Sequence, residues 1–361
     1  MKCIAFIFFL LPFYILAQNE ISISGKVTDK NTGTPLQAAS VFAQNTTFGE
    51  ATKSDGSFNL RLPAGGYDLI VTFTGYESSV TRISSTNNGV PLNIELRPKE
   101  KSLSEVSVVF STEVKNGWEK YGNFFTDNFI GKTQYGTQTE IKNPEVLKFF
   151  YSKKRNRLKV TAEEPLILIN KGLGYNIKYS IDSFAYEYNS NTATFMGYPL
   201  FQELPGNSDQ KEIWKQNRLK VYNGSILHFM RSLYNKTVIE NGFEIQFLVN
   251  ENGIDQPIKL KDPYTALNYS KDDTLNIVEL DPNQRIMAVI YNRAGPEPAY
   301  LKFDPNAKKD FRVSTISLNA DASFFIERNG YYYEQADFII NGYWGFEKVG
   351  NMLPYDYDPS E

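Results

Sequence analysis

Between Ile21 and Pro98 apolar and polar residues alternate in short runs, and each run is closed by turn-forming residues. Ile21, Ile23 and the Gly25-Lys26-Val27 stretch form the first strand. Asp29-Lys30-Asn31-Thr32-Gly33-Thr34-Pro35 reads as a turn, in which Gly33 accepts positive φ and Pro35 fixes the chain's exit. Leu36 and Ala38 to Ala43 begin the next strand, Thr46 to Glu50 form a loop, and Ser54-Asp55-Gly56-Ser57 is a strong turn signal. Phe58, Leu60 and Leu62 then alternate on one face. Pro63-Ala64-Gly65-Gly66 turns the chain into Tyr67 to Phe73, Gly75-Tyr76 precedes a strand ending near Ile83, and Leu92, Ile94 and Leu96 close the series. Seven short strands at this spacing predict a β-sandwich.

The pattern changes after the charged, turn-prone Pro98-Lys99-Glu100-Lys101-Ser102. From Glu113 to Ile130, Val114, Trp118, Tyr121, Phe125 and Phe129 recur at helical spacing, with Gly117 and Gly122 weakening the helix. Strands follow at Val146–Tyr151 and Arg157–Thr161 around a hairpin tip, then at Leu166–Ile169, Tyr175–Tyr188 and Thr194–Phe201. A second helical region comprises Lys211–Leu219 and Ser225–Lys236, the latter capped by Asn223 or Ser225. Strands resume at Phe243–Val249, Leu275–Leu280, Ile286–Tyr291, Ala299–Phe303, Phe311–Leu318, Ala322–Glu327 and Tyr331–Ile340. The expected fold is mainly β: a seven-stranded sandwich over residues 18–98, a linker or strand at 99–111, and a larger β-rich α+β domain with two helical insertions over 112–361.

The first 17 residues add a compartment. Lys2 precedes an apolar run from Ile4 to Leu16, and Ala17 stands at a cleavage position. That run is shorter than the roughly 20 residues a membrane span needs, so it reads as an export signal rather than an anchor. Cys3 is the only cysteine and leaves with the leader, which excludes disulfides and thiolate chemistry from the mature chain. Losing Lys2 takes the formal net charge from −3 to −4. An acidic balance argues against nucleic-acid binding, which depends on neutralising phosphates. The 23 Tyr and 26 Phe suit half-buried pleated surfaces before they suit any ligand.

Several quoted segments carry a resemblance: Gly25-Lys26-Val27-Thr28-Asp29, Thr34-Pro35-Leu36, Ala39-Ser40-Val41, Thr52 to Phe58, and Tyr67-Asp68-Leu69 to Gly75-Tyr76. Together they resemble the carboxypeptidase regulatory-like domain, which has a transthyretin-like sandwich fold and is abundant in exported proteins of the Bacteroidota. The resemblance implies an accessory or adhesive module, because in metallocarboxypeptidases this domain sits beside the catalytic one. Leu103-Ser104-Glu105-Val106-Ser107-Val108-Val109 is similar to a segment that follows the sandwich in SusC-like outer-membrane transporters, which implies a contact with TonB. An ordinary strand or linker explains the same residues, and the remaining chain lacks a barrel's series of membrane strands. Trp118 to Gly122, Asn143 to Leu147, Leu173 to Tyr175, Gly197 to Phe201, Gly224 to Leu233 and Leu353 to Tyr357 resemble the C-terminal half of exported Bacteroidota proteins with the same N-terminal module.

Reactive chemistry finds little support. A zinc carboxypeptidase site needs two histidines and a carboxylate, and His228 is the only histidine. A Ser-His-Asp hydrolase through His228 with Ser225 or Ser232 lacks a Gly-x-Ser-x-Gly elbow, so His228 reads as a structural residue beside Phe229. Asp272, Asp273, Asp281, Glu163, Glu164 and Glu203 are the acidic candidates for a glycosidase pair, against the ordinary role of solvated surface residues. Asp356 and Asp358 lack a full calcium loop. Asp273-Thr274-Leu275 fits a short O-glycosylation pattern. Lys153-Lys154-Arg155-Asn156-Arg157-Leu158-Lys159 suits an acidic polysaccharide or, more simply, a solvated hairpin tip. Gly172-Leu173-Gly174 lacks the remainder of a dinucleotide motif.

The expectation is therefore an exported, non-catalytic binding or structural protein of the cell envelope, periplasmic or attached to the outer membrane or cell surface. No catalytic, cofactor-binding or metal residue is assigned and no cofactor is expected. An envelope protein or glycan is the expected partner, with no transmembrane span after leader cleavage. Two alternatives remain: a hydrolase acting on envelope glycans or peptides through carboxylates of residues 112–361, and a TonB-linked outer-membrane accessory protein contacting TonB through Leu103–Val109.

Overall fold

The computed structural model describes residues 20–360 except 64, 85–86, 100–112, 320–322 and 334. The expected leader, Cys3 and the Leu103–Val109 segment lie outside the described residues.

Alternation builds the first seven strands: β1 (Glu20–Asp29), β2 (Ser40–Ala43), β3 (Gly49–Ala51), β4 (Ser57–Pro63), β5 (Tyr67–Thr72), β6 (Ser79–Ile83) and β7 (Leu92–Leu96). They form two sheets, β4-β1-β7 and β3-β2-β5-β6, closed on Ile23, Val27, Val41, Leu62, Leu69, Val71 and Ile83. In β4, Phe58, Leu60 and Leu62 point inward while Asn59 and Arg61 face water. Strand β5 breaks this rule, since Leu69, Ile70 and Val71 are all buried. Ile70 leaves the sandwich core and packs with Phe42 and Leu200 on the opposite face. The four-stranded sheet is thus covered on both sides, which consecutive apolar residues permit.

Next along the chain is helix α1 (Gly117–Phe129), shorter than the expected Glu113–Ile130. Residues before it are drawn into a sheet contact instead: Val114 N–H donates to the Phe149 carbonyl and Glu113 bridges Phe150. The helix lays Phe125 and Phe129 on a sheet made of β8 (Thr139–Ile141), β9 (Leu147–Ser152), β10 (Arg157–Ala162), β11 (Leu166–Asn170), β12 (Tyr175–Glu187) and β13 (Thr192–Glu203). Strand β12 is long enough to pair with β11 through its first half and β10 through its second, with β13 along its other edge. Helices α2 (Ser208–Tyr222) and α3 (Ile226–Tyr234) follow where helical periodicity placed them.

A third core lies beyond α3. Its strands are β14 (Phe243–Glu251), β15 (Ile254–Lys259), β16 (Ser270–Asp272), β17 (Ile277–Leu280), β18 (Ile286–Tyr291), β19 (Arg312–Leu318), β20 (Phe324–Glu327) and β21 (Phe338–Gly342). They form sheets β15-β14-β18-β19-β21 and β16-β17-β20, joined by Phe229, Met230, Phe243, Val278, Ile316 and Trp344. One-turn helices α4 (Pro263–Ala266), α5 (Pro298–Phe303) and α6 (Tyr343–Phe346) sit at its ends.

Two strand expectations fail here. Ala299–Phe303 is helical, because Pro298 occupies the first helical position after an extended Glu297. Tyr331–Ile340 is not one strand: Gly330 (φ +89°) folds Tyr331 back onto Glu327, and a 3₁₀ turn at Gln335–Asp337 delays β21 to Phe338. Strand β15 was not anticipated, since every one of its residues is exposed and no alternation marks it. Its signal was Asn252-Gly253, both with positive φ, as a two-residue hairpin turn requires.

Candidate functional site

His228 occupies the first turn of α3, which the Ser225 hydroxyl caps by accepting the His228 N–H at 3.1 Å. Ser225 and His228 are therefore joined backbone to side chain rather than as a nucleophile and its base. The imidazole Nδ1 accepts the Gly224 N–H at 3.2 Å, and the ring lies 4.7 Å from Tyr222 and 5.0 Å from Phe243. The Ser232 hydroxyl donates to the His228 carbonyl at 2.7 Å. Burial, with Arg293 and Arg231 nearby, pulls the imidazole pKa down to about 4. The ring is neutral and enclosed by aromatic groups.

The acidic candidates scatter. Asp272 accepts two N–H groups in the exposed β16–β17 turn, which also carries Asp273-Thr274-Leu275. Glu163 pairs with Lys148, and Glu203 pairs with Arg218 at 2.5 Å. Glu164 and Asp281 are exposed. Asp358 caps its own turn through Ser360. The basic run occupies the β9–β10 hairpin, with Lys153, Lys154 and Arg155 exposed. Gly172-Leu173-Gly174 is held by α2, whose Trp214, Asn217 and Arg218 donate to the carbonyls of Lys171, Gly172 and Leu173 at 2.8–2.9 Å. A Cβ at Gly174 would lie 2.2 Å from the Trp214 ring.

Asp356 behaves differently from its sequence reading. Its carboxylate accepts the N–H of Thr47 at 2.9 Å and the Thr47 hydroxyl. Burial raises its pKa, opposed chiefly by those two bonds. Beside it, Tyr355 N–H donates to the Asn45 carbonyl at 2.7 Å and the Asn45 amide donates to the Leu353 carbonyl at 3.3 Å. Arg231 ties the same segment down by donating to the carbonyls of Tyr355 and Tyr357. The 353–357 strap thereby joins the sandwich to α3.

A second polar cluster spans the same boundary. Arg82 of β6 donates to Glu327 of β20 at 2.7 Å and to the Tyr333 hydroxyl at 2.6 Å. Its guanidinium lies 4.6 Å and 4.2 Å from the centres of the Tyr331 and Tyr333 rings. The Tyr331 hydroxyl donates to Asp68 at 2.6 Å. Glu327 is 3% exposed, and a Cβ on Gly66 would fall 2.1 Å from its carboxylate.

A further pair of carboxyls was not foreseen. Glu297 caps α5; one of its oxygens accepts the Gln134 N–H at 3.1 Å, while the other is buried without a hydrogen-bond partner among the described residues. Glu347 follows α6 and accepts a hydrogen bond from Asn351 at 3.3 Å. Burial pushes Glu347 up to about 7, with nearby Glu297 adding and Arg312 opposing; burial also raises Glu297. Arg312 donates to the Gly295 and Asn223 carbonyls and lies 4.6 Å over the Tyr343 ring, so its bonds go elsewhere. A carboxyl holding its proton near neutrality beside a second carboxyl has the makings of acid–base chemistry. No sequence motif marks the pair, because the two residues come near each other only through the packing of α5 on α6 by Tyr300, Tyr343 and Phe346.

Of two clefts, the first lies away from these groups and the second borders the Arg82 cluster through Tyr333. One of about 300 Å³ is lined by Glu113–Gly117, Leu147 and Phe149, and one of about 330 Å³ by Ile277, Ser323, Phe324, Phe325 and Tyr333. Among the described residues no group of three or more His, Cys, Asp or Glu side chains is placed to hold a metal ion, and no helix is long and apolar enough to cross a membrane.

The two-sheet topology and its turn chemistry define a transthyretin-like sandwich at the start of the chain. Residues 23–108 match the family model of the CarboxypepD_reg-like domain. Among curated proteins, the TonB-dependent receptor P3 of Formosa agariphila is 24% identical over 115 residues, 32% of this chain. The match spans only 11% of that receptor's length. Among solved structures, a 9R-lipoxygenase from Cyanothece PCC8801 aligns over 62% of this chain and 49% of its own, at 9% identity and a TM-score of 0.16, too low to carry any argument.

Proposed function

We propose that this is an exported, envelope-associated binding or structural protein without catalytic activity. In this reading the sandwich (18–98) is an accessory scaffold and residues 112–361 carry partner specificity. The observation that carries it is how the signature residues are used. Asp29 accepts the N–H groups of Asn31 and Thr32 and the Tyr76 hydroxyl, joining the first and last signature segments. Thr52 accepts the Ala39 N–H and donates to the Leu36 carbonyl. Gly56, at φ +76°, lies against the Val27 carbonyl. These residues close turns inside the sandwich, and none of them lines either of the two clefts described. The receptor similarity supports an envelope setting.

Capture from solubilised envelopes, with the full chain and the sandwich alone as baits, tests the assignment. The full chain is expected to retain an envelope protein or glycan that the sandwich does not. Equal capture by the sandwich would move specificity to that module, and recovery of the native protein in the cytoplasm would remove the envelope role.

The Glu297–Glu347 pair favours a second reading, a hydrolase of envelope glycans or peptides. That reading requires turnover by the purified protein that Glu347→Gln abolishes without loss of fold. The receptor similarity favours a third, a TonB-linked accessory, which requires TonB binding that is lost when Leu103–Val109 is replaced.

A further inference from the structure

The sandwich meets the rest of the molecule through a narrow apolar strip flanked by polar groups. The strip is Phe42 and Ile70 of the sandwich against Leu200, with Tyr198 beside it. Backbone bonds run along it in both directions: Asn45 N–H to the Pro199 carbonyl at 2.8 Å, and Phe201 N–H to the Thr46 carbonyl at 2.9 Å. On one side stands the Arg82–Glu327 pair with Asp68, Tyr331 and Tyr333. Adjoining that cluster stand Thr47 and Asn45, holding Asp356 and the strap, whose Tyr355 ring lies 5.6 Å from that of Tyr331. Each core is complete without the other, since the sandwich cluster and the two larger clusters share no buried residue.

This composition distinguishes a closable joint from a fused core. A small strip contributes little from burial, because that gain scales with the apolar area removed from water. The polar groups pair well when the joint is shut and regain water when it opens, so their bonds specify the closed geometry at modest net energy. Contacts of this kind between domains permit relative motion unless the apolar area is large.

We propose that the sandwich is a latched module, held shut by Arg82–Glu327 and Thr47–Asp356 beside the Phe42–Ile70–Leu200 strip, and that it swings away as a rigid body when the latches are broken. The latch residues come from the β5–β6 ladder, the β2–β3 loop, β20 and the strap, so no single local segment forms it. Removing Arg82 leaves Glu327 buried without its cation, and opening relieves that by letting water in. Removing Asp356 frees the Thr47 donors in the same way. The proposal does not depend on the envelope role.

The test is a distance measurement between spin labels on the full chain, with Cys3 replaced by serine. One label goes on Arg61→Cys, exposed on the sandwich, and the other on Ile213→Cys, exposed on α2. The unaltered latch should give one narrow distance distribution. The Arg82→Ala, Asp356→Ala variant should add a second, separated population, raising the open-to-closed ratio by about tenfold or more per latch, the factor that 1.4 kcal/mol provides. Circular dichroism confirms that both parts stay folded. If the double variant unfolds, Thr47→Val with Tyr333→Phe removes one hydroxyl bond to Asp356 and the two made by the Tyr333 hydroxyl, and should shift the ratio in the same direction. A single unshifted distance in folded latch variants, or a broad distribution with the latches intact, overturns the proposal.

Discussion

At the residue scale, two titratable groups, buried His228 and half-buried Glu347, act on stability with opposite sign. His228 is held neutral with its pKa lowered from 6.5 to about 4, so its contribution is present above pH 6.5 and is lost as pH falls through 4. Glu347 has its pKa raised from 4.5 to about 7, so its contribution is present below pH 4.5 and is lost as pH rises through 7. Each swing is on the order of 3 kcal/mol, and over the shared range they largely cancel. Chemical denaturation at several pH values should therefore show Glu347→Gln gaining stability relative to the parent as pH rises from 4.5 to 7. His228→Gln should gain relative to the parent as pH falls from 6.5 to 4. Parallel curves for parent and variant would remove the burial argument for that residue. Gly56 gives a backbone test. At φ +76°, with the Val27 carbonyl 2.5 Å from where a Cβ would stand, Gly56→Ala should cost about 1–3 kcal/mol in thermal unfolding.

At the element scale, caps and turns decided more than propensity. Ser225, one of two cap candidates for α3, is the cap in fact, while Asn223 ends α2. Ser225→Ala is expected to lower stability by about 1 kcal/mol in denaturant titration, because the His228 N–H then loses its acceptor away from water. The helix α5 and the strand β15 were misread or missed for different reasons. Pro298 carried the correct signal for α5, but the five residues Ala299–Phe303, apolar except for Lys302, fit a strand equally well. In β15 the chain is held only by its hairpin partner, and Asn252-Gly253 was the one mark it left. Strand β15 also lies at a sheet edge, where Pro257 and the charged Asp255 and Lys259 suit a role in discouraging further pairing.

At the scale of the whole molecule, the turn Val349–Asn351 that leads into the strap anchors it to the second core. Asn170 in β11 donates to the Gly350 carbonyl at 2.8 Å and accepts the Leu173 N–H at 2.9 Å, while Gly350 N–H reaches the Ile130 carbonyl. A Cβ at Gly350 would lie 2.4 Å from Gly136, so the two backbones touch. Asn170→Ala leaves a buried carbonyl unmet at a cost of about 1–3 kcal/mol. Hydrogen exchange should then show faster exchange at Gly350 and Tyr355 while the β1–β4 amides keep their protection. Uniform acceleration across the chain would mean that the strap folds and unfolds only with everything else.

The sandwich was legible because its information is local. Alternation in β4, the Asp29 and Gly56 turns and the Thr52 bonds are each fixed within a few residues or one strand pairing. The burial of Ile70 on the sheet's far face was written as Leu69-Ile70-Val71, an apolar run too continuous for one-sided burial, though its partner Leu200 was not. Sequence determined the strand pattern of the sandwich, the two main helical regions and the exclusion of a two-histidine zinc site. Tertiary structure alone decided that Glu297 approaches Glu347, that Arg82 reaches Glu327 and that Asp356 seals Thr47. Desolvation and pairing energies depend on distance in space, and the chain carries no local record of which remote carboxyl will be buried beside which.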